Sequence, residues 1–92
     1  MICHVVMWKL KENNPELALN MKKELEALKG KIPGLESIQV GIDKNPENVV
    51  LISTHSSWEA LDEYAKHPLH VSVADTYVRP FTASRQAVNY EM

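Results

Sequence analysis

Two strand-like segments of this chain have no side that suits water. Ile2-Cys3-His4-Val5-Val6-Met7-Trp8 is rich in β-branched and aromatic residues and reads as a strand. Counted by twos, Ile2, His4, Val6, Trp8 and Leu10 form one face, and Cys3, Val5 and Met7 form the other before Lys9 and Lys11. Val49-Val50-Leu51-Ile52 repeats the pattern at the start of another strand. A sheet in a lone small α+β domain usually leaves one face wet, and its strands then alternate cleanly. Strands apolar on both sides need cover on both sides. The chain has 92 residues, enough for one domain spanning 1–92. At that size folding buries only roughly 60–65% of the surface exposed by the unfolded chain. Helices supply one cover, and a second copy of the chain is the expected source of the other.

The segments between these strands fix the element order. Asn14-Pro15-Glu16 opens a helix, with Asn as N-cap, Pro in the first turn and an acid near the positive end of the dipole. Leu17, Met21, Leu25, Leu28 and Ile32 follow at spacings of three or four and make one apolar stripe. Gly30 stops the helix and Ile32-Pro33-Gly34 turns the chain. A second strand runs from about Leu35 to Ile42, with Ile38, Val40 and Ile42 on one face. Turn residues around Pro46 join it to the Val49 strand as an antiparallel hairpin. Ser56-Ser57-Trp58-Glu59 reads as a capping box with Ser56 as the cap, opening a helix that buries Trp58, Leu61, Tyr64 and Ala65. A short helix from Pro68 to Tyr77 or Val78 comes next, stopped by Arg79-Pro80. A last strand, about Ala83 to Tyr90, places Val88 and Tyr90 opposite Arg85, Ala87 and Asn89. The order is β-α-β-β-α-β with the second helix broken, which predicts a ferredoxin-like α+β fold with a four-stranded antiparallel sheet and helices on one face.

The charge balance is close to even, with ten Lys and Arg against twelve Asp and Glu, and it leaves no basic footprint for nucleic acid. The opening apolar run is too short to span a bilayer and lacks a signal-peptide cleavage pattern, so no membrane partner is expected. Cys3 is the only cysteine. An internal disulfide is thereby excluded, and a reducing cytoplasm is the expected location.

Chemistry-bearing side chains concentrate in Tyr64-Ala65-Lys66-His67-Pro68-Leu69-His70-Val71, a phenol and two of the chain's four imidazoles within seven residues. Pro68 has no N–H to donate and pushes His67 out of the helical region, so this segment is a corner between two helical pieces. A stripe of His70, Val73, Ala74 and Tyr77 aims His70 inward; the competing stripe is Val71, Ala74 and Val78. In an enzyme, His70 is the base, since an imidazole in the first turn of a helix is held in its neutral form. Tyr64 then donates to a developing enolate. In the alternative, His70 caps the helix after Pro68 and Tyr64 fills the core. His4, Trp58, His67, Val71 and Tyr77 are the expected lining around this pair. His4 on a strand face also fits a satisfied core or interface histidine. No metal is expected, because HExxH and paired-cysteine spacings are missing and Pro68 breaks the i, i+4 register between imidazoles. Nothing singles out a haem ligand, and no cofactor is expected.

The whole pattern resembles the stress-responsive dimeric α+β barrel (Dabb) family. The resemblance rests on His4-Val5-Val6, Ile32-Pro33-Gly34, Val40-Gly41, the block Trp58 to Tyr64 leading into His67-Pro68-Leu69-His70-Val71, and the closing Val88-Asn89-Tyr90. It implies a homodimer in which two sheets close into one barrel. It implies no single reaction: many members are stress-induced proteins, a plant branch cyclises linear polyketides without a cofactor, and more distant relatives are monooxygenases or haem-degrading enzymes. In the cyclase branch the tyrosine and second histidine of the motif are catalytic, and these positions correspond to Tyr64 and His70. Three readings follow: a stress-type homodimer with a pocket for an apolar or aromatic small molecule, a cofactor-independent enzyme using the same pocket, and a purely structural dimer module.

Overall fold

A computed structural model describes all 92 residues. Strand β1 (Ile2–Leu10), helix α1 (Pro15–Glu26), strands β2 (Leu35–Ile42) and β3 (Asn48–His55), helices α2 (Trp58–Lys66) and α3 (Pro68–Val73), and strand β4 (Thr82–Glu91) follow in that order. The strands form one antiparallel sheet in the order β2-β3-β1-β4. This is the expected ferredoxin-like α+β fold, four antiparallel strands with helices on one face.

Strand register decides which residues face the helices. Ile2, His4, Val6 and Trp8 stand opposite His55, Ser53, Leu51 and Val49 of β3, and opposite Glu91, Asn89, Ala87 and Arg85 of β4. Val6, Leu10, Val40 and Leu51 are buried to within 1%. Met21 and Leu25 of α1 pack onto them, each contributing about 1.5–3 kcal/mol through burial. The Glu26 carboxylate pins α1 to β2 by accepting the Val40 N–H and a Lys22 ammonium proton, both at 2.9 Å, while Lys22 also donates to the Val40 carbonyl.

The other face has no helix over it. It presents Cys3, Val5 and Met7 from β1, Val50 and Ile52 from β3, and Val88 and Tyr90 from β4. Met7, Ile52, Val88 and Tyr90 are among the large apolar side chains left exposed.

Four local expectations change. Helix α1 ends at Glu26 rather than near Gly30; Leu28 and Ile32 remain buried but lie in the turns that follow. The cap of α2 is Ser57, whose hydroxyl accepts the Ala60 N–H at 3.1 Å, not Ser56. Trp58 is therefore the first helical residue and is about half exposed. Helical side chains lean toward the N-terminus, so an indole at that position projects past the end of the helix instead of under it. Ala65 is likewise exposed, leaving Leu61 and Tyr64 as the buried residues of α2. The last helical stretch is short: α3 gives way at Ala74–Val78 to a π-helical turn, in which the Arg79 N–H reaches back to the Ala74 carbonyl, and then to a 3₁₀ turn at Arg79–Phe81. Within it Ala74 and Val78 are the buried residues, while His70, Val71, Val73 and Tyr77 are half-buried, so neither expected stripe is followed cleanly.

Candidate functional site

Where the helices bridge the inner face of β1 and β4, a cleft of about 490 Å³ remains open. Its floor is His4, Val6 and Trp8 of β1 with Leu51 of β3. Tyr64, Leu61 and Asp62 of α2 and His70 of α3 form one wall, and Arg85 and Asn89 of β4 form the opposite rim. The π-helical turn contributes Ala74 and Val78 and leads directly into Arg79 at the margin. Wide turns of this type rotate the following residues relative to a regular α-helix and recur at functional sites.

The Pro68 corner works as the sequence suggests, with the two imidazoles doing different jobs. His67 has extended backbone angles and accepts the Leu69 N–H on Nδ1 at 3.2 Å, so it is the cap of α3. His70 is thereby free of the capping role. Its Nδ1–H donates to the Ala65 carbonyl at 3.3 Å. A carbonyl only accepts, so this bond selects the tautomer with the proton on Nδ1 and leaves the Nε2 lone pair available.

Four rings gather here: His4, Tyr64 and His70 line the cleft, and His55 lies buried behind Tyr64. Tyr64 lies 4.3 Å from His70 and 4.8 Å from His55, centroid to centroid, and His4 stands 6.1 Å from both Tyr64 and His55. His4 donates from Nδ1 to the Asn89 Oδ1, tying β1 to β4 across the floor. Burial lowers the pKa of all three histidines: His55 falls to about 4, and His4 and His70 shift down, with the Arg79 charge adding to the effect on His70 and the Arg85 charge to that on both. Burial also raises the Tyr64 phenol well above its ordinary value. Near neutral pH the cleft therefore holds uncharged imidazoles beside a phenol that keeps its proton.

Of the expected site residues, the cleft unites Tyr64, His70 and His4. Trp58, His67, Val71 and Tyr77 do not line it; Tyr77 instead packs against the core cluster. No three His, Cys, Asp or Glu side chains converge as a metal-ion donor set. The sequence reading missed Arg85 and Asn89 as members of the site, and His55 as the buried ring packed behind Tyr64. His55 is completely buried, bonds Ser53 Oγ through Nε2 at 2.9 Å, and has no partner for Nδ1. Its signal was the alternation Val49, Leu51, Ser53, His55 along the inner face of β3. That of Asn89 and Arg85 was their placement opposite His4 and Trp8 once β4 pairs with β1.

Fold and cleft together define a ferredoxin-like α+β protein with an imidazole–phenol site between sheet and helices. The match of residues 2–92 to the Stress responsive A/B Barrel Domain shows that the chain belongs to the Dabb family. Among solved structures, a dimeric ferredoxin-like protein from Bacteroides fragilis is 30% identical with a TM-score of 0.87, over 99% of this chain and 95% of that one. An Arabidopsis thaliana protein is 24% identical with a TM-score of 0.85, over 100% of this chain and 95% of the other. A putative antibiotic biosynthesis monooxygenase from Nitrosomonas europaea shares the fold at 16% identity and a TM-score of 0.86, over 100% and 98% of the two chains. No curated protein matches this chain. No helix is long and apolar enough to cross a membrane.

Proposed function

We propose that this Dabb-family protein is a homodimer that binds a small aromatic or apolar carbonyl compound in the cleft lined by Tyr64 and His70. The carrying observation is the pairing of a phenol O–H donor with an imidazole of fixed tautomer at the base of an open, largely apolar cleft, the usual form of a small-molecule site. The dimer is supported by the apolar outer face of the sheet and by the dimeric relative from Bacteroides fragilis. Titration with benzoylacetone, followed through the fluorescence of Trp8 at the cleft floor, tests the reading. Saturable binding that weakens at least tenfold in both Tyr64→Phe and His70→Ala is expected. Wild-type binding that neither substitution alters would remove the site.

A second reading is favoured by the His70 tautomer. A neutral imidazole with a free Nε2 lone pair is equipped to take a proton next to a carbonyl while Tyr64 donates a hydrogen bond to the enolate oxygen. On this reading the protein is a cofactor-independent enzyme for enolisable substrates, of the cyclase or monooxygenase kind.

A further inference from the structure

We propose that Arg85 makes this cleft selective for carbonyl compounds that also carry an anionic group, a carboxylate foremost. The inference rests on the small-molecule reading of the cleft and names its ligand class. Arg85 sits on the inner face of β4 opposite Trp8, at the rim of the cleft. Its charge is felt by three groups at the base, lowering the pKa of His4 and His70 and opposing the upward shift of Tyr64.

What sets Arg85 apart is its lack of a carboxylate. The two ion pairs of the chain are Lys22–Glu26 and Arg79–Asp75. Arg79 also borders the cleft and its charge reaches His70, but it is already paired with the Asp75 carboxylate one helical turn away. Asp62 lines the cleft without coming within ion-pair distance of Arg85. The imidazoles are neutral and so do not add to the positive charge. Arg85 is thus an exposed arginine at the rim of the cleft with no protein carboxylate within ion-pair distance, and its planar fork of donors matches the two-oxygen edge of a carboxylate. A ligand with a ketone near Tyr64 and His70 and a carboxylate toward β4 would use both ends of the site.

A matched pair of probes tests this. Benzoylpyruvate and benzoylacetone share the phenyl ring and the 1,3-dicarbonyl, and differ by a carboxylate in place of a methyl group. Each is titrated by calorimetry into wild type, Arg85→Gln and Arg79→Gln. The wild type is expected to bind benzoylpyruvate at least tenfold more tightly than benzoylacetone. Arg85→Gln should bring the two affinities within threefold of each other, and Arg79→Gln should keep the preference. Equal wild-type affinities, or a preference that survives Arg85→Gln, overturn the role of Arg85 and leave the cleft reading standing. Binding of neither probe at millimolar concentration removes the cleft reading and this inference together.

Discussion

The Tyr64 ring lies 4.3 Å from the His70 ring, tilted by 40°, while His70 gives its Nδ1 proton to the carbonyl of Ala65. Tyr64 and Ala65 are neighbours on α2, so one helical turn both presents the phenol and sets the tautomer of the imidazole. If this pair does acid–base chemistry, its effect appears in proton exchange before any product is identified. Exchange of the α-protons of benzoylacetone in D₂O, followed by NMR, is expected to be accelerated by the wild type. It should drop by about 10²–10⁴-fold in His70→Ala, the usual contribution of a positioned base. Equal exchange rates in the two proteins would leave the cleft as a binding site only.

The three histidines gathered around Tyr64 predict an acid-side loss of stability. Each has a folded pKa below the ordinary value of 6.5, His55 at about 4. The unfolded chain therefore binds more protons once pH drops below that value, and stability, full above it, declines toward pH 4. One such histidine adds a slope of up to about 1.4 kcal/mol per pH unit. Urea unfolding at pH 7.5, 6 and 5 should show the decline, and His55→Gln should make it shallower between pH 6 and 5. An unchanged slope in that variant would mean that His55 is not protonated on unfolding in this range.

Two glycines share a backbone conformation and should respond differently to substitution. Gly30 and Gly34 have φ of +81° and +84°, the left-handed region. A Cβ at Gly30 meets nothing within 4 Å, whereas one at Gly34 would stand 2.6 Å from the Ala60 Cβ of α2. Gly30→Ala is expected to cost about 1 kcal/mol, from backbone strain alone. Gly34→Ala should cost about 2–4 kcal/mol, since overpacking adds to that strain. Thermal denaturation of both variants makes the comparison, and equal shifts would show that α2 moves away without penalty.

The uncovered sheet face predicts how the assembly fails. Val5 lies at its centre, opposite Ile52 and Val88. Light scattering coupled to gel filtration is expected to give twice the 10.4 kDa chain mass for the wild type. Val5→Asp should give the single-chain mass with an unchanged far-ultraviolet circular dichroism spectrum. A wild-type monomer at micromolar concentration would overturn the homodimer reading.

Element order was readable because it rests on strong local signals: the Asn14-Pro15 start, the Pro33-Gly34 turn, and β-branched runs in β1 and β3. The uncovered apolar face was readable from period-two counting in β1. The site was readable only where its residues share one segment. Tyr64 and His70 flank Pro68, so their meeting is local. His55, Arg85 and Asn89 join them through strand pairing, and no local pattern announces a partner 85 residues away. Trp58 was misplaced by a one-residue shift of the cap from Ser56 to Ser57, because adjacent serines offer the same chemistry and only helix packing chooses between them. The π-helical turn at Ala74–Val78 left no sequence mark distinguishing it from ordinary helix.

The bond between His4 and Asn89 has a consequence for the order of assembly. It joins the first strand to the last, and β4 is an edge strand held on one side only. Closing so long a loop carries an entropic cost, and contacts of such separation slow folding. An anionic ligand that bridges Arg85 and the cleft floor would hold this edge strand in place and stabilise the finished protein in proportion to the logarithm of its concentration. Ligand-dependent protection of the β4 amides from hydrogen exchange, greater than that of β2, would be its signature.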